Sequence, residues 1–247
     1  AAPQRRISDA LYLKLARALA GTGREGIDQA LAQYEALYQA TSSDYTRAQV
    51  NLARGQMLAA LGQTDQAYAY YLDSVTRFPL AYDSYLALVE LVNAGVEVSE
   101  YDRGLIDYYA GQTNLAIAAF DRYLQTPSAA ELDSDNRANA LYYKGLALRV
   151  IGSPEAAIIE WDKLVRGYDA AAPNWDSAWE EIGYTQWAYL DLYPDAIDTF
   201  LRFQTQFPDH GRAPEFLFFA GQVAERFNQL ERAAQIWQQL QTTYPTH

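Results

Sequence analysis

The sequence predicts an all-α array of helix-turn-helix repeats. Three observations carry that expectation. A small-residue and aromatic pattern recurs along the 247 residues. Glycine, serine and proline turn signals punctuate it at a similar phase each time. No stretch shows the period-2 alternation of a strand with turn signals on both sides. In "YYAGQTNLAIAAFDRYLQTP" (108–127), Gly111 precedes a polar turn, Ala116 follows, Phe120 comes four residues later, and Pro127 closes the stretch.

Taken in order, the units fall near 11–44, 48–81, 97–130, 138–171, 177–210 and 214–247, within one domain spanning 1–247. The first, around "LAGTGREGIDQALAQYEALY" (19–38), carries Ala30 and Tyr34, with Ala18 as the small residue of its first helix. The second has Gly55, Gly62, Ala67, Tyr71 and Pro79. An extra helix is expected over 80–95, "LAYDSYLALVELVNAG". The third unit has Gly104, Gly111, Ala116 and Phe120, and the fourth Gly145, Gly152, Ala157 and Trp161. The fifth has Ala196, Phe200 and Pro208, with Tyr184 at the small-residue position, and the sixth Gly221, Ala233, Trp237 and Pro245.

The spacing has a physical cause. Alanine and an aromatic at i, i+4 share a helix face. Small residues let two antiparallel helices approach, and the aromatic fills the space they leave. Tyr34, Tyr71, Phe120, Trp161, Phe200 and Trp237 are therefore read as core. Ser153–Pro154–Glu155 reads as a helix start with Ser153 as N-cap, and Thr64 and Thr113 are placed as caps in the same way. Pro79, Pro208 and Pro245 each follow the repeat alanine by twelve residues and end a helix.

This pattern resembles the tetratricopeptide repeat, whose period is ~34 residues. The alanines at 30, 67, 116, 157, 196 and 233 are 37, 49, 41, 39 and 37 residues apart, the longest interval holding the extra helix. The resemblance implies a right-handed α-solenoid of about six repeats, binding through an inner wall lined by first helices. Mapped by register, that wall carries Tyr101, Tyr108 and Tyr109 in the third unit, and Tyr142 and Arg149 in the fourth. It carries Glu181 and Tyr189 in the fifth, and Phe218 and Glu225 in the sixth. The chain has 20 tyrosines, whose flat faces and hydroxyls suit a peptide or a glycan, or close the contact with the next repeat. Only Lys14, Lys144 and Lys163 are lysines, which argues against a clamp for a terminal carboxylate.

Composition narrows function further. The net charge of −12 argues against nucleic acid as a partner. The charge is uneven: residues 1–24 hold Arg5, Arg6, Lys14, Arg17 and Arg24 against Asp9, a net of +4, leaving −16 elsewhere. That basic start is read as a solvated helix face or a contact with an anionic surface. The chain has no cysteine, which excludes disulfides, thiolate metal sites and thiol nucleophiles. No apolar run approaches the ~18 residues of a membrane span. The chain begins on alanine, which fits an exported protein whose leader or anchor has been removed.

No catalytic, metal or cofactor site is nominated. His210 lies in the turn "FPDHGRAP" and is read as solvated, and His247 is the last residue. "GTGREG" (21–26) follows a helical stretch, not the strand that a dinucleotide fingerprint requires. "ELDSDN" (131–136) lacks the glycine and distal glutamate of a calcium loop. Glu180 and Glu181 point to different parts of a helix surface and form no acid/base pair.

Two longer stretches carry a narrower resemblance. "LVNAGVEVSEYDRGLIDYYAGQTNLAIAAFDRYL" (91–124) and "WDSAWEEIGYTQWAYLDLYPDAIDTFL" (175–201) are similar to the helical superhelix preceding the catalytic domain of soluble lytic transglycosylases. Those bacterial envelope enzymes cleave peptidoglycan strands to a 1,6-anhydro end, using a glutamate followed by serine. No Glu-Ser dipeptide occurs here. The resemblance implies a non-catalytic superhelical part that meets a peptidoglycan strand or a partner. The alternative is an independent adaptor that binds a peptide or protein.

Overall fold

The computed structural model describes residues 2–127 and 134–245, with side chains described from residue 9 onward. His247 and residues 131–133 of the acidic stretch lie outside the described residues. Thirteen helices and no strand occur among them. The fold is the expected all-α helical-repeat class. The chain divides into two compact units, Ala1–Ala119 and Phe120–His247.

In the first unit, α1 (Ala2–Ala20) pairs with α2 (Arg24–Ala40), and α3 (Asp44–Ala60) with α4 (Thr64–Arg77). The extra helix is real: α5 (Tyr82–Asn93) packs on α4 and α3, with Ser74 and Ser84 hydrogen-bonded at 3.0 Å in that contact. α6 (Glu100–Tyr109) follows, and α7 (Thr113–Gln125) runs across the division. Tyr71, Val75, Leu88, Leu91 and Ile106 form the main core.

The second unit holds the hairpins α8 (Ser134–Val150) with α9 (Pro154–Gly167), α10 (Trp175–Tyr189) with α11 (Tyr193–Gln206), and α12 (Ala213–Arg226) with α13 (Leu230–Thr243). Its core runs from Trp161 and Leu164 through Trp175 and Phe200 to Phe203 and Phe216, whose rings stack with centroids 3.7 Å apart.

The repeat works as the spacing implies. Ala30, Ala67, Ala116, Ala157 and Ala196 are fully buried. A Cβ on Gly55 would lie 2.2 Å from the Tyr71 ring, and one on Gly145 2.3 Å from the Trp161 ring. The first helices of the second to sixth repeats end in a left-handed residue: Gly62, Gly111, Gly152, Asp191 and Asn228 all have φ between 55° and 82°. Only glycine, or an Asp or Asn, adopts that conformation cheaply. The wrap-around bonds Gln63→Leu58, Gln112→Asp107, Ser153→Leu148 and Gln229→Ala224 each span five residues, the helix-ending pattern that satisfies orphan carbonyls.

Several expectations need correction. In the fifth repeat the close-packed small residue is Gly183, not Tyr184: a Cβ there would lie 2.3 Å from the Phe200 ring. The cause is one extra residue before the turn, where Leu192 N–H reaches back six residues to Gln186 O at 2.8 Å. In the first repeat Ala18 is exposed and Ala16 is the buried small residue. Thr64 and Thr113 are not caps but the first residues of their helices. Ser153 occupies the N-cap position without a capping side-chain bond. Ser43 and Ser99 do cap, accepting from Thr46 N and Asp102 N. Trp237 is only half-buried, because its helix is the last described. His210 is not a solvated turn residue: it is half-buried against the Phe203 and Trp175 rings.

Candidate functional site

The most site-like feature lies in the second unit, between the first helices of its last two repeats. A groove of about 570 Å³ runs between α10 and α12 over α11. Tyr184 and Trp187 line it from α10, and Phe219, Gln222, Val223, Glu225 and Arg226 from α12. Phe200 from α11 contributes to the lining, and Glu180 lies on α10. Residues 180, 184 and 187 share one face of α10, and 219, 222, 223 and 226 one face of α12.

Aromatic contacts organise this surface. The Tyr184 ring meets Trp187 edge-on at 5.5 Å and Tyr189 at 5.9 Å. The Arg226 guanidinium lies over Trp187 at 4.9 Å. Arg149 sits beside three rings, Trp161, Tyr184 and Tyr189, at 5.2, 5.4 and 5.3 Å, while pairing with Glu181 and donating to Thr185 Oγ1. These contacts hold the aromatic side chains in defined positions before any ligand arrives.

The groove's charges are unequal. Arg212 pairs with Glu180 at 2.5 Å, Glu215 at 2.6 Å and Asp176 at 3.6 Å. Burial works against that cation, but hydrogen bonds to Glu215 and Glu180 outweigh it and raise the Arg212 pKa above its usual value. Glu225 is exposed and has no ion pair among the described residues.

The nine residues expected on the binding face are only partly brought together. Arg149, Glu181 and Tyr189 form the cluster beside Tyr184, and Glu225 lines the groove. Tyr142 is half-buried and packs against the core of the second unit, and its carbonyl accepts from Trp161 Nε1. Phe218 is 43% exposed, and its ring lies 5.3 Å from that of Trp237 between centroids. Tyr101, Tyr108 and Tyr109 all lie on α6 of the first unit, with the last two rings edge-on at 5.4 Å. Glu180 and Glu181 diverge as expected, one to Arg212 and the other to Arg149. Sequence reasoning missed Tyr184, Trp187, Phe219, Gln222 and Arg226. For Tyr184 and Trp187 the signal is the one-residue offset between Gly183 and Asp191, eight apart where Gly145 and Gly152 are seven; α12 keeps the seven-residue spacing from Gly221 to Asn228 and carries no such signal.

A second cavity, of about 420 Å³ in the first unit, is polar, and most of its side chains pair with one another, though the buried Arg54 Nε has no hydrogen-bond partner among the described residues. Asp73 accepts from Tyr38 and Asn51 at 2.8 Å each, and Arg54 pairs with Glu35 at 2.6 Å while lying 4.0 Å over Tyr70. Burial and the hydrogen bond to Asp73 push the Tyr38 hydroxyl above its usual pKa. This network stitches α2 to α3 and α4. Among the described residues no group of three or more His, Cys, Asp or Glu side chains is placed to hold a metal ion. Among the described residues no helix is long and apolar enough to cross a membrane.

Residues 101–174 match the family model of the tetratricopeptide repeat. No curated protein matches the sequence. Among solved structures, the chain is similar to the apo form of the quorum sensor NprR from B. thuringiensis, with a TM-score of 0.45 and 14% identity, over 97% of this chain and 65% of that one. It thus spans just under two thirds of that relative. It is also similar to Pseudomonas aeruginosa pilF, with a TM-score of 0.41 and 15% identity, over 99% of this chain and 95% of that one. The helical hairpins define an all-α helical-repeat protein, and residues 101–174 are the part that matches the tetratricopeptide repeat.

Proposed function

We propose that this chain is a non-catalytic binding scaffold that holds an extended segment of a partner protein in the groove between α10 and α12. The observation that carries the reading is the groove itself. Its aromatic lining is fixed by neighbouring contacts, and its rim offers hydrogen-bonding groups at Glu180, Gln222, Glu225 and Arg226. An apolar surface with a few polar groups is the usual composition of a ligand site. A benzoylphenylalanine cross-linker placed at Gln222 tests it in the source cells, with the same probe at exposed Arg166 as control. A protease-sensitive adduct from position 222 alone is expected; equal adducts from both positions would refute the groove assignment.

A second reading is favoured by the oxygen-bearing rim. Aromatic rings beside Glu180, Gln222 and Glu225 suit the faces and hydroxyls of a sugar chain. On this reading, which joins the rim to the sequence resemblance, the chain would be the superhelical part of a peptidoglycan lytic transglycosylase in the bacterial envelope. Co-sedimentation with purified sacculi, lost in Trp187→Ala, is its test. Location outside the cytoplasm belongs to that reading and is checked by cell fractionation.

A further inference from the structure

We infer that the groove between α10 and α12 selects peptides in which an apolar or aromatic side chain lies next to a lysine or arginine. The inference rests on the protein-segment reading above and adds the chemistry of the segment. Two observations carry it.

The first is the apolar lining. Phe200 is 2% and Val223 3% exposed, and Phe219 is half-buried beside them. Tyr184 is 41% exposed and Trp187 half-buried on the opposite side. One hydrophobic side chain of a ligand, set against these rings, would remove apolar surface of both partners from water, at ~25 cal/mol per Å².

The second is the charge around that lining. Asp176, Glu180, Glu215 and Glu225 stand against Arg212 and Arg226, a local excess of two carboxylates. Arg212 is shared among three of those acids, so it has no free capacity for a ligand carboxylate. Arg226 lies on the Trp187 ring, and Glu225 beside it forms no ion pair among the described residues. A ligand ammonium or guanidinium within reach of Glu225 supplies the missing charge. An acidic ligand side chain there meets repulsion instead.

The experiment is a selection from a random dodecapeptide phage library on the immobilised full chain and on its Glu225→Lys variant. Glu225 is exposed, so the variant folds, and circular dichroism verifies it. Wild-type protein is expected to enrich sequences with Lys or Arg within three positions of an aromatic or aliphatic residue. The variant should lose the basic preference and keep the apolar one. A fluorescein-labelled selected peptide should bind about twofold to fivefold more weakly when its basic residue is changed to glutamate, the range of one exposed ion pair, and the difference should shrink with added salt. Enrichment of apolar peptides without a basic neighbour, or with an acidic one, overturns this inference and leaves the scaffold reading standing. Failure to enrich any peptide, together with binding to sacculi, overturns both.

Discussion

Gly183→Ala tests the register of the fifth repeat, on which the groove depends. The new Cβ would sit 2.3, 2.4 and 2.9 Å from three atoms of the Phe200 ring. Ordinary carbon contacts begin near 3.5 Å, so the ring must retreat by roughly 1 Å. It has nowhere to go: Phe200 is 2% exposed and is held by Phe216 and Phe219, at 5.9 and 5.5 Å. Overpacking of this kind costs about 1–3 kcal/mol. Alanine in a helix interior recovers up to about 1 kcal/mol over glycine. With the full helix gain set against it, the balance is a loss of up to about 2 kcal/mol, a fall in Tm of up to roughly 8 °C. All five tryptophans lie in the second unit, so intrinsic fluorescence during thermal unfolding reads that unit alone. Tyr184→Ala is the companion, since its ring is 41% exposed and its loss should shift Tm by only a few degrees. Gly167→Ala is the control: nothing lies within 4 Å of the added Cβ, so it should be neutral or slightly stabilising. A stable Gly183→Ala protein together with a strongly destabilised Tyr184→Ala protein would refute the register and the groove built on it.

Three further substitutions test other parts of the molecule. Asp102 is pushed up to about 6 by burial, from 3.8; between those values the folded state binds more protons, so stability falls as pH rises and levels off above about 6. Asp102→Asn should flatten that slope in urea midpoints followed by circular dichroism from pH 4 to 7, and an unchanged slope would show that Asp102 is not its source. Tyr142→Ala removes a half-buried ring packed on the core, so a Tm drop of several degrees is expected, while a drop under one degree would return Tyr142 to the binding surface. Lys144→Met leaves Glu160, whose side chain is 8% exposed, with Lys163 as its remaining cation and also frees Asp121; the loss should be about 1–3 kcal/mol, and Lys144→Met with Glu160→Leu should recover most of it.

The fold was legible because the packing rule is local. An alanine and an aromatic four residues apart declare one helix face, and a glycine sixteen residues before the aromatic declares the helix it meets, as with Gly55 and Tyr71 or Gly145 and Trp161. Proline marked the ends of α4, α11 and α13 correctly, each helix stopping two residues before it. Caps were less legible, because Thr64 stands one residue beyond Gln63, whose backbone takes the N-cap position. The candidate site was read only in part. Register from an averaged repeat places Phe218 and Tyr142 on a binding face; Phe218 is exposed but leans on Trp237, and Tyr142 packs on the core. Neither contact has a signature at fixed spacing.

The groove follows from the same offset that defeated the register. Had the fifth repeat kept the seven-residue spacing from small residue to left-handed turn, position 184 would have packed against Phe200, where even a Cβ at the neighbouring Gly183 has no room. Tyrosine could not occupy such a position. The added residue before Asp191 lets Gly183 take the close contact and rotates the next residue by about 100° around the helix, to the face that meets Trp187 and Arg149. The cost is one widened turn, closed by the Leu192 to Gln186 bond and by the left-handed Asp191. The gain is an aromatic pair with Trp187 on a first helix, facing α12. Deleting Leu190 should therefore restore the ordinary spacing, force Tyr184 toward Phe200, and destabilise the second unit while abolishing ligand binding. A stable deletion variant that still binds would mean that the groove owes nothing to the offset.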